Sequence, residues 1–312
     1  MADESLTRKT AHELAAMIKA RAVSPVEVLD AHLAVIARVN PKLNAIVTLA
    51  AEQAKEHARA VEAAVMRGER LGALAGLPIA IKDVTPTAGI RTTFGSPLYK
   101  DHVPEEDAEA VSRLKAAGAI VLGKTNTPEF ATGANTVNAL FGATRNPWNC
   151  ALSPAGSSGG SAVAVATGMV PIAQGTDFGC SIRIPAAFCG IVGIRPTPGV
   201  TPNHPTPLLW DAGQVHGPLA RTAEDAALVL DAMIGLSRFS PISVAPPWPS
   251  ALAEVDRCKD ARVADRLRIG HCRDRRRCRD RCDLPASRMA AAGCRRDGRG
   301  GRVRRVRRPR SL

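Results

Sequence analysis

The segment Pro154-Ala-Gly-Ser-Ser-Gly-Gly-Ser161 places three serines and three glycines in eight positions, the densest grouping of small polar residues in the chain. Three uses compete for such a loop. As a phosphate cradle it would need the Gly-Lys-Ser/Thr ending that brings a cation to the phosphate, and that ending is missing. As a nucleophile elbow, Gly156-Ser-Ser158-Gly-Gly160 fits G-x-S-x-G with Ser158 as the attacking hydroxyl and Asp211 and His216 as partners. An elbow requires a strand directly before it, whereas Arg145–Pro154 carries two prolines and several turn residues. Asp211 and His216 themselves read as surface residues of a proline-rich loop. The third use is a flexible Gly/Ser turn without chemistry.

The elements that would position this loop follow from periodicity and capping. Thr10-Ala-His-Glu13 and Ser24-Pro25-Val26-Glu27 both fit the capping box, and Pro25 suits a first helical position. Val28, Leu29, Leu33 and Ile36 recur at helical spacing, and an Ala-rich stretch from about Thr48 to Arg67 predicts another helix ended by Gly68, so the first seventy residues read as helical. Ile79-Ala-Ile81, closed by Lys82-Asp83, predicts a buried strand. Asp107–Gly118 reads as helix and Ala119–Gly123 as strand. Further apolar runs at Val170–Ala173 and Gly190–Ile194, and a helix over Thr222–Ile234 opened by Thr222-x-x-Asp225, extend the alternation. Helix and strand in turn predict an α/β fold.

The chain has 312 residues with a net charge of +13, a value that suggests a nucleic-acid binder until it is split by position. Twenty-one of the 42 basic and six of the 29 acidic residues lie in 257–312, so that segment carries +15 and residues 1–256 carry −2. Five of the eight cysteines (Cys258, Cys272, Cys278, Cys282 and Cys294) also fall after residue 256, leaving Cys150, Cys180 and Cys189, which do not make a disulfide framework for the body. Cys150 and Cys189 read as small buried or half-buried thiols. The N-terminus lacks the basic start and apolar run of a signal peptide, and no stretch is long enough to span a bilayer, so a cytoplasmic protein is expected.

Taken together, Gly76-Leu-Pro-Ile-Ala-Ile-Lys-Asp83, the Gly/Ser loop and Gln174-Gly-Thr-Asp-Phe-Gly-Cys-Ser-Ile-Arg-Ile-Pro-Ala-Ala-Phe-Cys-Gly190 resemble the amidase signature family of serine hydrolases. The resemblance runs from about Thr10 to Pro249 and includes Gly123-Lys-Thr-Asn-Thr-Pro-Glu-Phe130, Phe141-Gly-Ala-Thr-Arg-Asn-Pro-Trp148, Gly193-Ile-Arg-Pro-Thr197 and Gly217-Pro-Leu-Ala-Arg-Thr222. It implies a mixed β-sheet core flanked by α-helices and a Ser-Ser-Lys triad. By motif position the lysine falls on Lys82, the serine held in a cis peptide on Ser157, and the nucleophile on Ser181. It further implies an oxyanion hole from the backbone N–H groups of Phe178, Gly179, Cys180 and Ser181, with Ser158, Asp177 and Arg183 in support and Lys124 structural. No metal or cofactor is implied.

The residue types suit that assignment. A serine hydroxyl attacks only once its proton is taken, and a lysine can take it only when burial or nearby positive charge lowers its pKa. Lys82 at the inner end of an apolar strand is placed for this, with Ser157 relaying the proton between Ser181 and Lys82 and delivering it to the leaving amine. Asp177 and Arg183 are expected to brace the nucleophile loop as an ion pair. Where the family usually has two glycines before the nucleophile, this chain has Gly179-Cys180, and a left-handed residue 180 would cost a cysteine roughly 1 kcal/mol or more.

After the helix at Thr222 the resemblance fades. Text like the family's reaches about Leu267-Arg-Ile-Gly270, and the segment then becomes Arg, Cys, Gly, Asp and Ala with no Phe, Tyr or Trp. We read 1–256 as an incomplete N-terminal portion of the amidase signature domain, with the C-terminal part of the core missing, and 257–312 as a tail, disordered or out of frame. A frame shift near 257–272 is favoured, since a GC-rich gene read out of frame yields such composition. A nucleic-acid-binding tail lacks aromatics to stack bases, and His271, Cys272, Cys278, Cys282 and Cys294 match no common zinc spacing. The expected function is hydrolysis of a small carboxamide to carboxylate and ammonia or amine through an acyl-enzyme, with a homodimer allowed and no nucleic-acid or membrane partner. The alternatives are a glutamine-hydrolysing, A-type component of an amidotransferase, which typically has Gln at the place of Ile184, and an inactive remnant whose basic tail binds nucleic acid.

Overall fold

Alternation of buried apolar residues along short strands fixes the architecture. The computed structural model describes residues 4–260. Its helices and strands run α1 (Ala11–Lys19), α2 (Pro25–Leu43), β1 (Ile46–Leu49), α3 (Ala51–Arg67), β2 (Pro78–Lys82), α4 (Glu109–Ala116), β3 (Ile120–Thr125), β4 (Val137–Asn138), β5 (Gly142–Ala143), α5 (Gly159–Ala166), β6 (Ile172–Asp177), α6 (Arg183–Cys189), β7 (Val192–Gly193), β8 (Val215–Ala220), α7 (Ala223–Met233) and α8 (Ala251–Asp260). Six strands form a mixed sheet in the order β1-β3-β2-β6-β8-β7; β3, β2 and β6 are parallel, and β1, β8 and β7 are antiparallel to their neighbours.

Both sides of the sheet are covered, as the unbroken apolar run of β2 requires. Ile79, Ile81, Val121, Ile172 and Ala220 join Leu14 and Ile18 of α1, Leu114 of α4 and Val229 of α7 in one core cluster. The intervening Ala80, Ile120, Leu122, Ala173 and Leu219 join Ile36 of α2, Ala58 of α3 and Val163 of α5 in another. Neighbouring residues thus point to opposite layers with the period of two that a pleated strand imposes.

Both capping boxes form: Thr10 and Ser24 accept from the N–H groups of Glu13 and Glu27, whose carboxylates return to the cap N–H groups. Gly68 ends α3 in the left-handed conformation at φ 73°. The third cap is only half a box. Thr222 accepts from Asp225 N–H, but the Asp225 carboxylate reaches away to the N–H of His12 in α1, at 2.9 Å.

Several elements depart from the sequence expectations, among them β8, which replaces the surface loop read around His216; two others show why. The all-helical reading of the first seventy residues misses β1, which turns off α2 where Asn44 takes a left-handed conformation and Asn40 Oδ1 accepts from both Ala45 and Ile46 N–H. Short β-branched strands between Ala-rich helices leave no period long enough to read, although Asn-Pro-Lys-Leu-Asn44 marks the break. The other is α8, which lies past Pro249 and runs across residue 257. Its first turn is sealed by Asp231 of α7, which accepts from the N–H groups of Ala251 and Leu252, and by Ser250 Oγ, which accepts from Ala253 N–H. The remainder of the Arg/Cys-rich tail, with the zinc and nucleic-acid readings placed on it, lies outside the described residues. No described helix is long and apolar enough to cross a membrane.

Helix α5 is buried from Gly159 through Val165 and carries the Gly/Ser loop at its N-terminus. A Cβ on Gly160 would come within 2.4 Å of Asn126 N, 2.6 Å of Asn126 O and 2.7 Å of Ala45 O, all backbone. Gly179 has nothing within 4 Å of such a Cβ and no positive φ. We expect Gly160→Ala to destabilise the protein by about 1–3 kcal/mol through overpacking, and Gly179→Ala to leave the unfolding free energy from urea titration within about 0.5 kcal/mol of the parent.

Candidate active site

The carboxyl ends of the parallel strands are where an α/β sheet offers space for a ligand, and the candidate residues collect there. Lys82 is the last residue of β2 and has no exposure to solvent. Its Nζ lies 2.6 Å from Ser157 Oγ and 2.8 Å from Thr176 Oγ1. Burial brings the ammonium down to about 7, against the opposing pull of the Asp177 carboxylate. The Gly156–Ser157 peptide is cis. Ser158 N–H donates to Ser181 O at 3.0 Å, which holds the loop before α6 against the loop before α5.

Ser158 is fully buried, with its Oγ between the Thr176 carbonyl at 3.1 Å and the Thr176 N–H at 3.3 Å. No strand directly precedes it, so the elbow geometry is not formed. Ser181 is half-buried, and among the described residues its hydroxyl has no hydrogen-bond partner, Ser157 included. Lys82 and Ser157 are therefore brought into contact, while Ser181 is tied in through its backbone.

Asp177, at the end of β6, organises the turn that carries Ser181. Its buried carboxylate accepts from Cys180 N–H at 2.9 Å, from Ile182 N–H at 3.0 Å and from Arg183 Nε and Nη2 at 3.0 Å each, with Arg195 Nε at 3.4 Å. Burial pushes this carboxyl up, but the Arg183 and Ile182 bonds outweigh it and hold it below the usual carboxylate range. The paired Asp177–Arg183 brace expected from sequence is present, and Arg195 of the Gly193-Ile-Arg-Pro-Thr197 motif joins it unforeseen.

The same wrapping corrects one expectation. Cys180 N–H already serves Asp177, which leaves Phe178, Gly179 and Ser181 N–H of the four named for the oxyanion hole. Cys180 has φ 72°, the left-handed conformation in which a side chain is strained.

His216 is not a surface loop residue. It sits buried on β8 opposite Thr176, with Nδ1 2.9 Å from Gln174 Nε2 and Nε2 3.1 Å from Asn203 Oδ1. Asp211 is half-buried in the loop before β8 and accepts from Gly213 N–H at 2.7 Å, with no contact to Ser158. The sequence carried one hint, the position of His216 directly before Gly217-Pro-Leu-Ala-Arg-Thr222. Lys124 is fully buried, and its Nζ donates to the Thr85 carbonyl and to Thr87 and Thr92 hydroxyls at 2.8 and 3.0 Å, a cage that ties residues 85–92 to β3. Burial brings it too down to about 7. Cys189 is buried and Cys150 half-buried.

Beside the end of β2 lies a cavity of about 670 Å³, lined by Val84, Phe94, Phe130, Leu208, Asp211 and Gln214 among others. A second, of about 650 Å³, opens among α1, the end of α3 and α7 and holds none of the candidate residues. The first reaches the end of β2 only through Val84, and Lys82, Ser157 and Ser181 are not among its lining residues.

Fold and contacts define an α/β protein whose lysine, serines and aspartate gather at one end of a mixed sheet. A family model described as Amidase matches residues 27–291, past the point where recognisable text ends. The chain belongs to this family, the amidase signature enzymes. It is 47% identical over 269 residues to the A subunit of glutamyl-tRNA(Gln) amidotransferase from Acidothermus cellulolyticus, covering 86% of this chain and 52% of that protein. Its counterpart from Carboxydothermus hydrogenoformans is 48% identical, over 72% of this chain and 47% of that protein. Among solved structures, a bacterial aryl acylamidase belonging to the amidase signature enzymes superposes with a TM-score of 0.74 at 36% identity, covering 77% of this chain and 50% of that one. A 6-aminohexanoate cyclic dimer hydrolase gives 0.71 at 34%, with 78% and 50% covered. The chain spans about half the length of the curated relatives it matches.

The strained turn and the buried lysines each give a measurable expectation. Cys180→Gly removes the left-handed strain and raises stability by about 0.5–1 kcal/mol, seen as a higher melting temperature. Lys82 and Lys124 have folded pKa values near 7 against 10.5 for an ordinary lysine. Between these values the unfolded chain binds more protons than the folded one, so stability rises with pH across that window. Urea titrations from pH 7 to 10 should show this rise, and Lys82→Met and Lys124→Met should each flatten it.

Proposed function

We propose that this chain carries the nucleophilic half of an amide-hydrolysing site in which Ser181 attacks the carbonyl and forms an acyl-enzyme. The observation that supports this most directly is the 2.6 Å contact between Lys82 Nζ and Ser157 Oγ in full burial. A lysine near 7 is partly neutral at physiological pH and can accept a proton, which an exposed lysine cannot do. In the proposed cycle Ser181 passes its proton through Ser157 to Lys82 as it attacks. Negative charge then collects on the carbonyl oxygen, for which the N–H groups of Phe178, Gly179 and Ser181 are the available donors. Collapse of the tetrahedral adduct breaks the C–N bond while Ser157 returns the proton to the leaving nitrogen. Water, deprotonated along the same route, then releases the carboxylate. The closing of the Ser157–Ser181 hydrogen bond belongs to the substrate complex, since such bonds are often long without substrate.

For the substrate, the curated relatives favour the glutamine-directed reading over the plain amidase, because both quoted above are A subunits of glutamyl-tRNA(Gln) amidotransferases. On that reading the leaving group is ammonia from a primary carboxamide, and the relatives' being one component of a larger enzyme supports a protein partner. One observation favours a plain amidase: Ile184, beside Arg183, presents an apolar side chain where the A-type components typically carry Gln.

Covalent labelling of the whole chain with a fluorophosphonate, followed by peptide mass spectrometry, tests the chemistry. We expect modification at Ser181, with its rate reduced on the order of 10³-fold or more in Lys82→Ala and Ser157→Ala. Absence of labelling in folded protein would mark the chain as an inactive remnant, and labelling at Ser158 would restore the elbow. Ammonia release from glutamine compared with benzamide then separates the two substrate readings.

A further inference from the structure

Behind Lys82 lies a chain of buried polar groups to which the proposed cycle assigns no part. Gln174 Oε1 accepts from Lys82 N–H and from Thr85 Oγ1, each at 3.2 Å. Its Nε2 donates to the Gly175 carbonyl at 2.9 Å and faces His216 Nδ1 at 2.9 Å. His216 Nε2 faces Asn203 Oδ1 at 3.1 Å, and the His216 carbonyl accepts from Thr201 Oγ1 at 2.8 Å. Gln174, His216 and Lys82 are all buried.

Donor and acceptor bookkeeping leaves one consistent arrangement. With both Gln174 donors on Nε2, His216 Nδ1 must be an acceptor, and Nε2 must then carry the ring proton and donate to Asn203 Oδ1. The imidazole is neutral in this state. A protonated ring would set an Nδ1–H donor against the Gln174 NH2. Relief would come from turning the amide over, which would take its oxygen away from Lys82 N–H and Thr85. The side-chain contact of Lys82 with Thr176 is reached from the same place, since Thr176 is the cross-strand partner of His216.

We propose that His216, acting through Gln174, is a positioning residue for Lys82: it fixes the orientation of the Gln174 amide, which in turn anchors the end of β2 so that Lys82 Nζ stays between Ser157 and Thr176. This rests on the reading of Lys82 as the base but concerns its placement, which can be measured without turnover. Charges acting on the pair are few. Burial, with Lys82 in support, brings His216 down to about 4, and Asp177 opposes the burial of Lys82. His216 therefore stays neutral across the range in which Lys82 titrates.

The test uses the full-length protein. Nitrogen-15 NMR of the His216 ring reports its tautomer, and carbon-13 NMR of Lys82 Cε reports its titration. We expect an Nε2–H tautomer with unprotonated Nδ1 between pH 6 and 9. In Gln174→Leu and His216→Leu the Lys82 midpoint should rise by at least half a pH unit as the anchor loosens and water reaches the amine. The double variant should move it no further than either single one, and His216→Asn, which retains an acceptor, should recover part of the shift. If His216→Leu does not fold, Gln174→Leu carries the test alone. An Nδ1–H tautomer, or an unchanged Lys82 midpoint in folded Gln174→Leu, would overturn the proposal. Fluorophosphonate labelling of the unsubstituted protein separates the two readings: no reaction at Ser181 there, with the Lys82 midpoint still shifting in Gln174→Leu, removes the catalytic role and leaves the positioning intact.

Discussion

A lysine ammonium at the end of a strand that is buried on both faces loses its hydration, and this cost constrains the rest of the site. Lys82 must either find acceptors or give up its proton, and it does some of each: Ser157 and Thr176 oxygens surround Nζ, and the affinity for the proton falls by several orders of magnitude. Both acceptors come from segments distant in sequence, so the sheet has to be assembled before the amine is satisfied. Tight approach of α5 to the end of β3 at Gly160 is what allows Ser157 to reach it.

A second buried charge answers the first. Asp177 stabilises the turn by gathering three backbone N–H groups and two guanidinium groups onto one carboxylate. Cys180 shows that this wrapping takes precedence over local preference, since the residue accepts a left-handed conformation to deliver its N–H. The turn is thus held from inside by the aspartate, which leaves Gly179 and Phe178 exposed toward the solvent side of the site.

Much of this was legible in the sequence. Capping boxes at Thr10 and Ser24 work because they are local; so does the apolar run of β2, whose closing lysine marks where the strand meets the site. Contiguous motifs singled out Lys82 and Ser157, which are in hydrogen-bond contact, and the Asp177–Arg183 pair; Ser181, singled out the same way, meets this group only through its backbone. What escaped depends on partners far along the chain. His216 looks like a loop histidine until β8 is paired with β6 and Gln174 is set beside it. The engagement of Cys180 N–H is a matter of backbone direction, which residue types do not encode. Strand β1 is four residues long, too short to show a period, and α8 depends on Asp231 in another helix for its cap.

The carboxylate of Asp225 seals the first turn of α1 across a separation of 213 residues. Loop closure over that distance is slow compared with forming either helix. On the ribosome α1 emerges long before α7 exists, so its N-terminus stays dependent on the Thr10 box until late in synthesis. A nascent chain stopped short of residue 225 would hold the start of α1 by the Thr10 box alone, without the second acceptor that Asp225 brings to it.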